Sequence, residues 1–251
     1  MKKKYLSGHF AYKSDVGRVR LLNEDRVIAL INARGNALLV VCDGMGGAKK
    51  GDLASTLALD TIVEEFKNRE AKFLGKLSAR SFLTAAIKKA NRTVYNEAEK
   101  NPDYKGMGTT LTAVLIVNNF YVLAQVGDSR CYTINNNKIK QLSEDQSYAA
   151  YLYRIGQITK EQMDTHPKRH ILTNSLGIYP SISIDMRVDN YNDETFLLCS
   201  DGLYNNVDDV NIESILLSDD GVDIKINELI SLANANGGSD NIGVVIWEAD
   251  K

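Results

Sequence analysis

The chain of 251 residues is short of several things, and each shortage closes off a class of protein. It has 3 Cys, 3 Pro, 3 His and 1 Trp. An odd number of cysteines with no CxxC pair makes neither a disulfide framework nor a zinc knuckle. Cys42, Cys131 and Cys199 each lie within or at the end of an apolar run. A free thiol there is a small buried hydrophobe, and the chain reads as one made for a reducing compartment. With so little proline and only 18 Gly, collagen-like and low-complexity chains are excluded. Charge of one sign is also lacking: 30 Lys+Arg face 32 Asp+Glu, a net charge of −2. A dedicated nucleic-acid binder would show a strong basic excess. No run approaches ~18 consecutive apolar residues, so no membrane span is expected. The basic start leads into no apolar h-region of a signal peptide. The expectation is a cytoplasmic protein with neither nucleic acid nor membrane as partner.

What is present is ordinary for a globular chain: 44% hydrophobic and 25% charged residues. Neither a solenoid-length repeat nor a Pro/Gly/Ser-rich linker divides it, so one domain over 1–251 is expected. Short β-type runs come first, at His9–Lys13, Arg26–Ile31 and Ala37–Cys42. Leu53, Leu57, Ile62 and Phe66 then recur at helical spacing, with Asp52 as the expected N-cap, and a second helix spans Ser78–Glu99. The period changes again at Thr109–Val117, Phe120–Val126, Arg130–Ile134 and Lys138–Leu142, joined by Asn-rich hairpin turns. A polar helix over Ser147–His166 follows, then strands Ser183–Val188 and Thr195–Cys199. Helices at Asp208–Leu217 and Ile224–Asn234 precede a closing strand, Asn241–Trp247. Strands outnumber helices without the alternation of a doubly wound sheet. The fold class expected is α+β, an antiparallel β-sandwich with helices on its outer faces.

The informative feature is where certain aspartates fall. Asp43-Gly44 ends the run Leu38–Cys42, Asp201-Gly202 follows Phe196–Ser200, Asp128 follows Tyr121–Val126, and Asp240 precedes the last strand. Turn chemistry explains any one of them. It explains four poorly, because a carboxylate beside a buried strand is costly unless paired. Oxygen-only ligands gathered at strand ends select Mg²⁺ or Mn²⁺, whereas three scattered histidines supply zinc badly. Gly44-Met45-Gly46-Gly47 is neither a P-loop nor a GxGxxG turn, and no GxSxG elbow exists. Arg18, Arg20, Asn23, Glu24 and Asp25 crowd one short segment, either as a solvated turn or as an arginine fork for phosphate beside further acids. Carboxylates, divalent cations and an arginine together point to phosphoryl chemistry.

Together these stretches make the sequence resemble the type 2C family of metal-dependent Ser/Thr protein phosphatases, in its compact bacterial form. The resemblance rests on Ser14–Gly17 through Asn23-Glu24-Asp25, Asp43–Gly47, Gly108-Thr109-Thr110 and Val126–Arg130. It continues through His166-Pro167 with Leu172-Thr173, Ser200–Leu203 and Gly238–Asn241, in family order over nearly the whole chain. It implies two antiparallel sheets between layers of helix (α-β-β-α). It implies that Asp43 bridges two catalytic Mg²⁺ or Mn²⁺ ions and that the Gly44 carbonyl serves the second. Asp201 and Asp240 would complete the first, and Asp128 with Asp201 would hold a third. Arg20 would grip the substrate phosphate, Glu24 and Asp25 would hydrogen-bond metal-held water, and residues from about 146 to 176 would form a flap beside the site. A water activated by the cations would attack phosphorus in line. Partners so implied are phosphoproteins, among them a Ser/Thr protein kinase, met by a monomer. Met45 and Ala48 stand where relatives often have His, Gln146 where His is usual and His170 where Asn is usual. An inactive phosphoprotein-binding module and a hydrolase of small phosphomonoesters remain as alternatives.

Overall fold

The computed structural model describes residues 6–46, 50–69, 71–135 and 138–250. Two antiparallel sheets pack face to face. The first has strand order β1 (Gly8–Asp15), β11 (Ile242–Ala249), β10 (Thr195–Cys199), β7 (Arg130–Asn135) and β8 (Lys138–Gln141). The second runs β2 (Asp25–Ile31), β3 (Ala37–Met45), β5 (Leu111–Val117), β6 (Phe120–Val126) and β9 (Asp185–Asn190), and the two-residue β4 (Gly108–Thr109) pairs with the end of β3.

Burial shows why the central strands read as unbroken apolar runs rather than alternating ones. On β3, Leu38, Val40 and Cys42 face helices α1 (Lys50–Lys67) and α2 (Lys76–Lys100). The intervening Ala37, Leu39 and Val41 face the other sheet. A strand buried on both faces has no solvent side to make polar. Between the sheets lie Val114, Ile116, Phe196, Leu198, Val245 and Trp247. The first sheet's outer face is covered by α6 (Asp209–Leu217) and α7 (Val222–Ala235), which bury Ile212, Ile226, Leu229 and Ile230. The order is therefore helix, sheet, sheet, helix, as the sequence pattern and the resemblance imply.

Three local expectations need correction. Ser147–His166 is not one helix: α3 (Tyr148–Arg154) and α4 (Lys160–Asp164) are separated at Gly156, whose φ of +73° is left-handed backbone that ends a helix. Thr159 restarts it through a capping box with Gln162. Asp52 is not an N-cap but lies in the first turn of α1, where its carboxylate favours the helix dipole and pairs with Arg26. The strand expected at Ser183–Val188 starts at Asp185, because the Ser183 carbonyl accepts a hydrogen bond from Asn174 (2.8 Å) and is tied to the neighbouring loop.

Phe196 is fully buried between the sheets, edge-on to Tyr121 at 5.0 Å and stacked with Tyr191 at 6.1 Å. Phe196→Ala is expected to cost about 3–5 kcal/mol in urea unfolding. Leu74→Ala, at a position 92% exposed, should stay within about 0.5 kcal/mol. Equal losses at the two positions would show that this layer is not the core.

Candidate active site

The strand ends that carry the aspartates meet at one end of the sandwich. They line a cleft of about 900 Å³ together with Arg20, Glu24 and Gly44. Asp43 is the last acidic residue of β3, and Asp201 opens the single turn of α5 (Asp201–Tyr204) directly after β10. Asp128 occupies the β6–β7 turn and Asp240 the turn before β11. Of the residues expected from the sequence, only Asp25 is absent from the cleft wall. It lies beneath, opposite Asp43 in the β2–β3 ladder and almost fully buried.

These groups crowd one another. Burial, followed by the charges of Asp25, Asp201, Asp128 and Asp240, pushes the Asp43 carboxyl well above the usual carboxylate range. Burial and then Asp201 and Asp145 do the same to Asp128. Burial pushes Asp25 up to about 7 with help from Asp201 and Asp240, against the hydrogen bond that Ser200 Oγ donates to its Oδ2 (2.6 Å). Asp25 Oδ1 is buried with no hydrogen-bond partner. Arg20 donates to Asp240 Oδ2 at 2.7 Å, and its pKa is raised because that carboxylate outweighs the opposing effect of burial.

Among the described residues, no three acidic, His or Cys side chains already close on one ion-sized point. Like charges hold the acids apart, and Asp240 is drawn to Arg20. The donor chemistry nonetheless fits hard divalent cations. It consists of carboxylate oxygens lining an open cleft, kept costly by burial and mutual repulsion that a cation would relieve.

The backbone beneath is fixed by residues to which the sequence pattern assigned no role. Thr110 Oγ1 accepts the Asp43 N–H (2.9 Å), Thr109 Oγ1 donates to the Asp43 carbonyl (2.9 Å), and the Thr110 N–H donates there too (2.8 Å). Asn241 donates from Nδ2 to the Val16 and Leu22 carbonyls, both at 2.9 Å, and its Oδ1 accepts the Glu24 N–H at 2.8 Å. One amide beside Asp240 thus staples the whole Arg20 segment. Gly44 is required by contact: a Cβ there would lie 2.1 Å from the Gly51 carbonyl oxygen, where α1 begins against the strand end. Arg130 chelates Asp145 and lies 3.6 Å over the ring of Tyr204, whose hydroxyl donates to the Asp128 carbonyl (3.2 Å).

The departures noted in the sequence take definite places. Gln146 Oε1 accepts from the Gly127 N–H (2.9 Å) and from Asn174 Nδ2 (2.8 Å), so an amide roots the 146–176 segment to the Asp128 turn. His170 reaches the cleft with Nδ1 3.6 Å from Asp201 Oδ2, whereas His166 stands off against Tyr148. Met45 lines the cleft and Ala48 lies outside the described residues. Cys42, Cys131 and Cys199 are buried and their thiols are pushed up by burial, as the sequence pattern expects of packing residues.

Residues 17–233 match the protein phosphatase 2C family. The chain belongs to that family. It is 37% identical over 243 residues to the serine/threonine phosphatase stp of Listeria monocytogenes, covering 96% of each chain. Its structure superposes with a TM-score of 0.90 on the serine/threonine phosphatase Stp1 of Staphylococcus aureus, at 34% identity over 99% of this chain and 96% of that one. It also resembles the catalytic domain of the protein phosphatase PstP in complex with two manganese ions, with a TM-score of 0.85, 31% identity, and 98% and 100% coverage.

For a phosphatase 2C chain, the crowding of acids has a measurable consequence. Asp25, Asp43 and Asp128 hold protons more tightly folded than unfolded, so folding favours their protonated forms. Stability in EDTA should therefore fall as pH rises from about 4, the ordinary carboxylate range, towards the value of about 7 set for Asp25. Mn²⁺ competes with those protons and should raise the melting temperature more at pH 7.5 than at pH 5. Calorimetry showing a metal-free Tm that climbs over this interval would contradict the arrangement.

Proposed function

We propose that this phosphatase 2C chain removes phosphate from phosphoserine and phosphothreonine on proteins by hydrolysis within the carboxylate cleft. The observation that carries the reading is the convergence of Asp43, Asp128, Asp201 and Asp240 with Arg20 on one cavity. The relatives, themselves Ser/Thr phosphatases by name, support it.

Asp43, the Gly44 carbonyl, Asp201 and Asp240 would hold two catalytic Mg²⁺ or Mn²⁺ ions, and Asp128 with Asp201 a third. When bound, such cations lower the pKa of water and polarise phosphoryl oxygens. The protein's part is to place and balance charge. Arg20, now on Asp240, offers two N–H groups to the phosphoryl oxygens once Asp240 is engaged elsewhere. Its guanidinium then neutralises charge that builds on those oxygens in the transition state. Glu24 Oε1 accepts the Gly51 N–H (3.1 Å), which fixes an acid at the cleft edge, while Asp25, the first residue of β2, lies beneath and pairs with Asp43 in the ladder. In the reaction a water oxygen bonds to phosphorus and the ester P–O bond breaks on the opposite side. Inorganic phosphate leaves, and a proton from water ends on the serine or threonine hydroxyl. The scheme has no place for a cysteine nucleophile: Cys42, Cys131 and Cys199 are buried, and burial pushes their thiols up.

We further read the chain as one catalytic domain acting as a cytoplasmic monomer, with a Ser/Thr protein kinase among its substrates. Among the described residues no helix is long and apolar enough to cross a membrane. The binding-module alternative is disfavoured because Asp43, Asp128, Asp201 and Asp240 all line the one cleft with Arg20. Phosphate release from a phosphothreonine peptide should require Mg²⁺ or Mn²⁺ and stop in EDTA. Asp43→Asn should abolish turnover with an unchanged circular dichroism spectrum, and Arg20→Ala should lower kcat/KM by about 10²–10³-fold. Asp128→Asn should weaken turnover and its metal dependence without abolishing either. Near-normal turnover by Asp43→Asn would refute the site.

A further inference from the structure

Apart from the acids and Arg20, the 900 Å³ cleft is lined by polar Arg169, His170, Thr173, Asn174 and Ser175 and by an apolar stretch of wall. That stretch is built from Leu172, Ile178 and Tyr179, joined by Met45 from the end of β3. A Cβ on Gly108 would lie 3.0 Å from Met45 Cε and 3.1 Å from Ile178 Cδ1, so the two side chains adjoin across that glycine. Tyr179 is 70% exposed, an amphipathic ring left open at the mouth.

This wall is held rigid. The buried Asn91 of α2 donates from Nδ2 to the Tyr179 carbonyl (3.0 Å) and accepts the Gly177 N–H on Oδ1 (2.8 Å). Gly177 has φ +87°, and a Cβ there would meet Val94 Cγ1 at 2.3 Å, so only glycine takes the turn that brings Ile178 and Tyr179 to the cleft. Leu176 exchanges both backbone hydrogen bonds with Thr109, at 3.1 and 2.9 Å. Thr109 is also the residue whose hydroxyl holds the Asp43 carbonyl. One short strand therefore sets the spacing between the catalytic aspartate and the apolar wall.

A cleft of this volume takes a ligand far larger than a phosphoryl group. With phosphate directed to Arg20 and to the cations the carboxylates would hold, the next part of a bound chain comes within reach of Met45, Ile178 and Tyr179, which line the same cleft. We propose that these residues form a subsite for an apolar side chain flanking the phosphorylated residue, which makes phosphothreonine or phosphoserine beside a Leu-like neighbour the preferred substrate class. The subsite rests on the phosphatase reading. Because the wall is pre-ordered, binding there loses little conformational freedom and the contact shows directly in selectivity.

The test uses two phosphothreonine peptides that differ only in having Leu or Ser on both sides of the phosphoresidue, together with p-nitrophenyl phosphate, all with Mn²⁺. The wild-type protein should favour the Leu peptide by roughly tenfold in kcat/KM. In the Ile178→Ser/Tyr179→Ser double variant the ratio should fall to about one. Tyr179→Ser alone, at an exposed position, should move it in the same direction if the double variant fails to fold. A wild-type ratio near one, or a ratio that survives the substitutions, overturns the subsite while turnover of p-nitrophenyl phosphate keeps the phosphatase reading standing. Absence of turnover on all three compounds overturns both.

Discussion

Repulsion among carboxylates at one end of the sandwich is the constraint around which this structure is organised. Asp25 and Asp128 are buried and Asp43 is half-buried, and Asp201 and Asp240 add charge from the cleft. Left alone, such a set would spread apart or take up protons, and burial, helped by the neighbouring charges, raises the pKa values of Asp25, Asp43 and Asp128 in that direction. The same unfavourable state is what gives a divalent cation its binding energy. Stability without metal and affinity for metal are two sides of one electrostatic term.

Holding like charges together requires a backbone that does not yield. Asp43, Asp128, Asp201 and Asp240 sit in or beside the ends of β3, β6, β10 and β11, which are buried on both faces, so moving one of these carboxylates means moving a packed strand. Short polar side chains then lock the exact positions: Thr109 and Thr110 on Asp43, Ser200 on Asp25, and Asn241 on the segment bearing Arg20 and Glu24. Most of these bonds run from side chain to backbone. Those on Asp43 spare its carboxylate oxygens, whereas Asp201 Oδ2 accepts from Asn205 and the two Asp240 oxygens accept from Arg20 and the Asn241 N–H.

The larger elements were legible because their signals are local. Periodicity gave α2 and the central strands nearly to their ends, and the strand-end aspartates marked the site before any contact was known. The errors fall where a local signal competes with a tertiary one. A polar, tyrosine-rich stretch reads as one helix, yet Gly156 divides it, Ile171 and Thr173 close its two ends on Tyr148 and Gln146, and Gln146 ties them to Gly127 at the end of β6. Asn241 was visible as a motif residue, but nothing in its neighbours announces that its amide reaches Val16, Leu22 and Glu24.

By itself, then, the sequence determined the sandwich class, the family and the residue types available for chemistry, since hydrophobic period and motif order are properties of neighbours along the chain. Only the tertiary structure decided which acids line the cleft and which lies beneath it. Asp25 and Glu24 are adjacent in sequence, but Asp25 opens β2 and turns inward to Ser200, while Glu24 precedes the strand and is held at the cleft by the Gly51 N–H. It likewise decided that Met45 and Ile178, 133 residues apart (178 − 45), share a wall, because that contact depends on α2 presenting Asn91 to a distant loop. Such contacts arise from packing between elements, for which neighbouring residues carry no code.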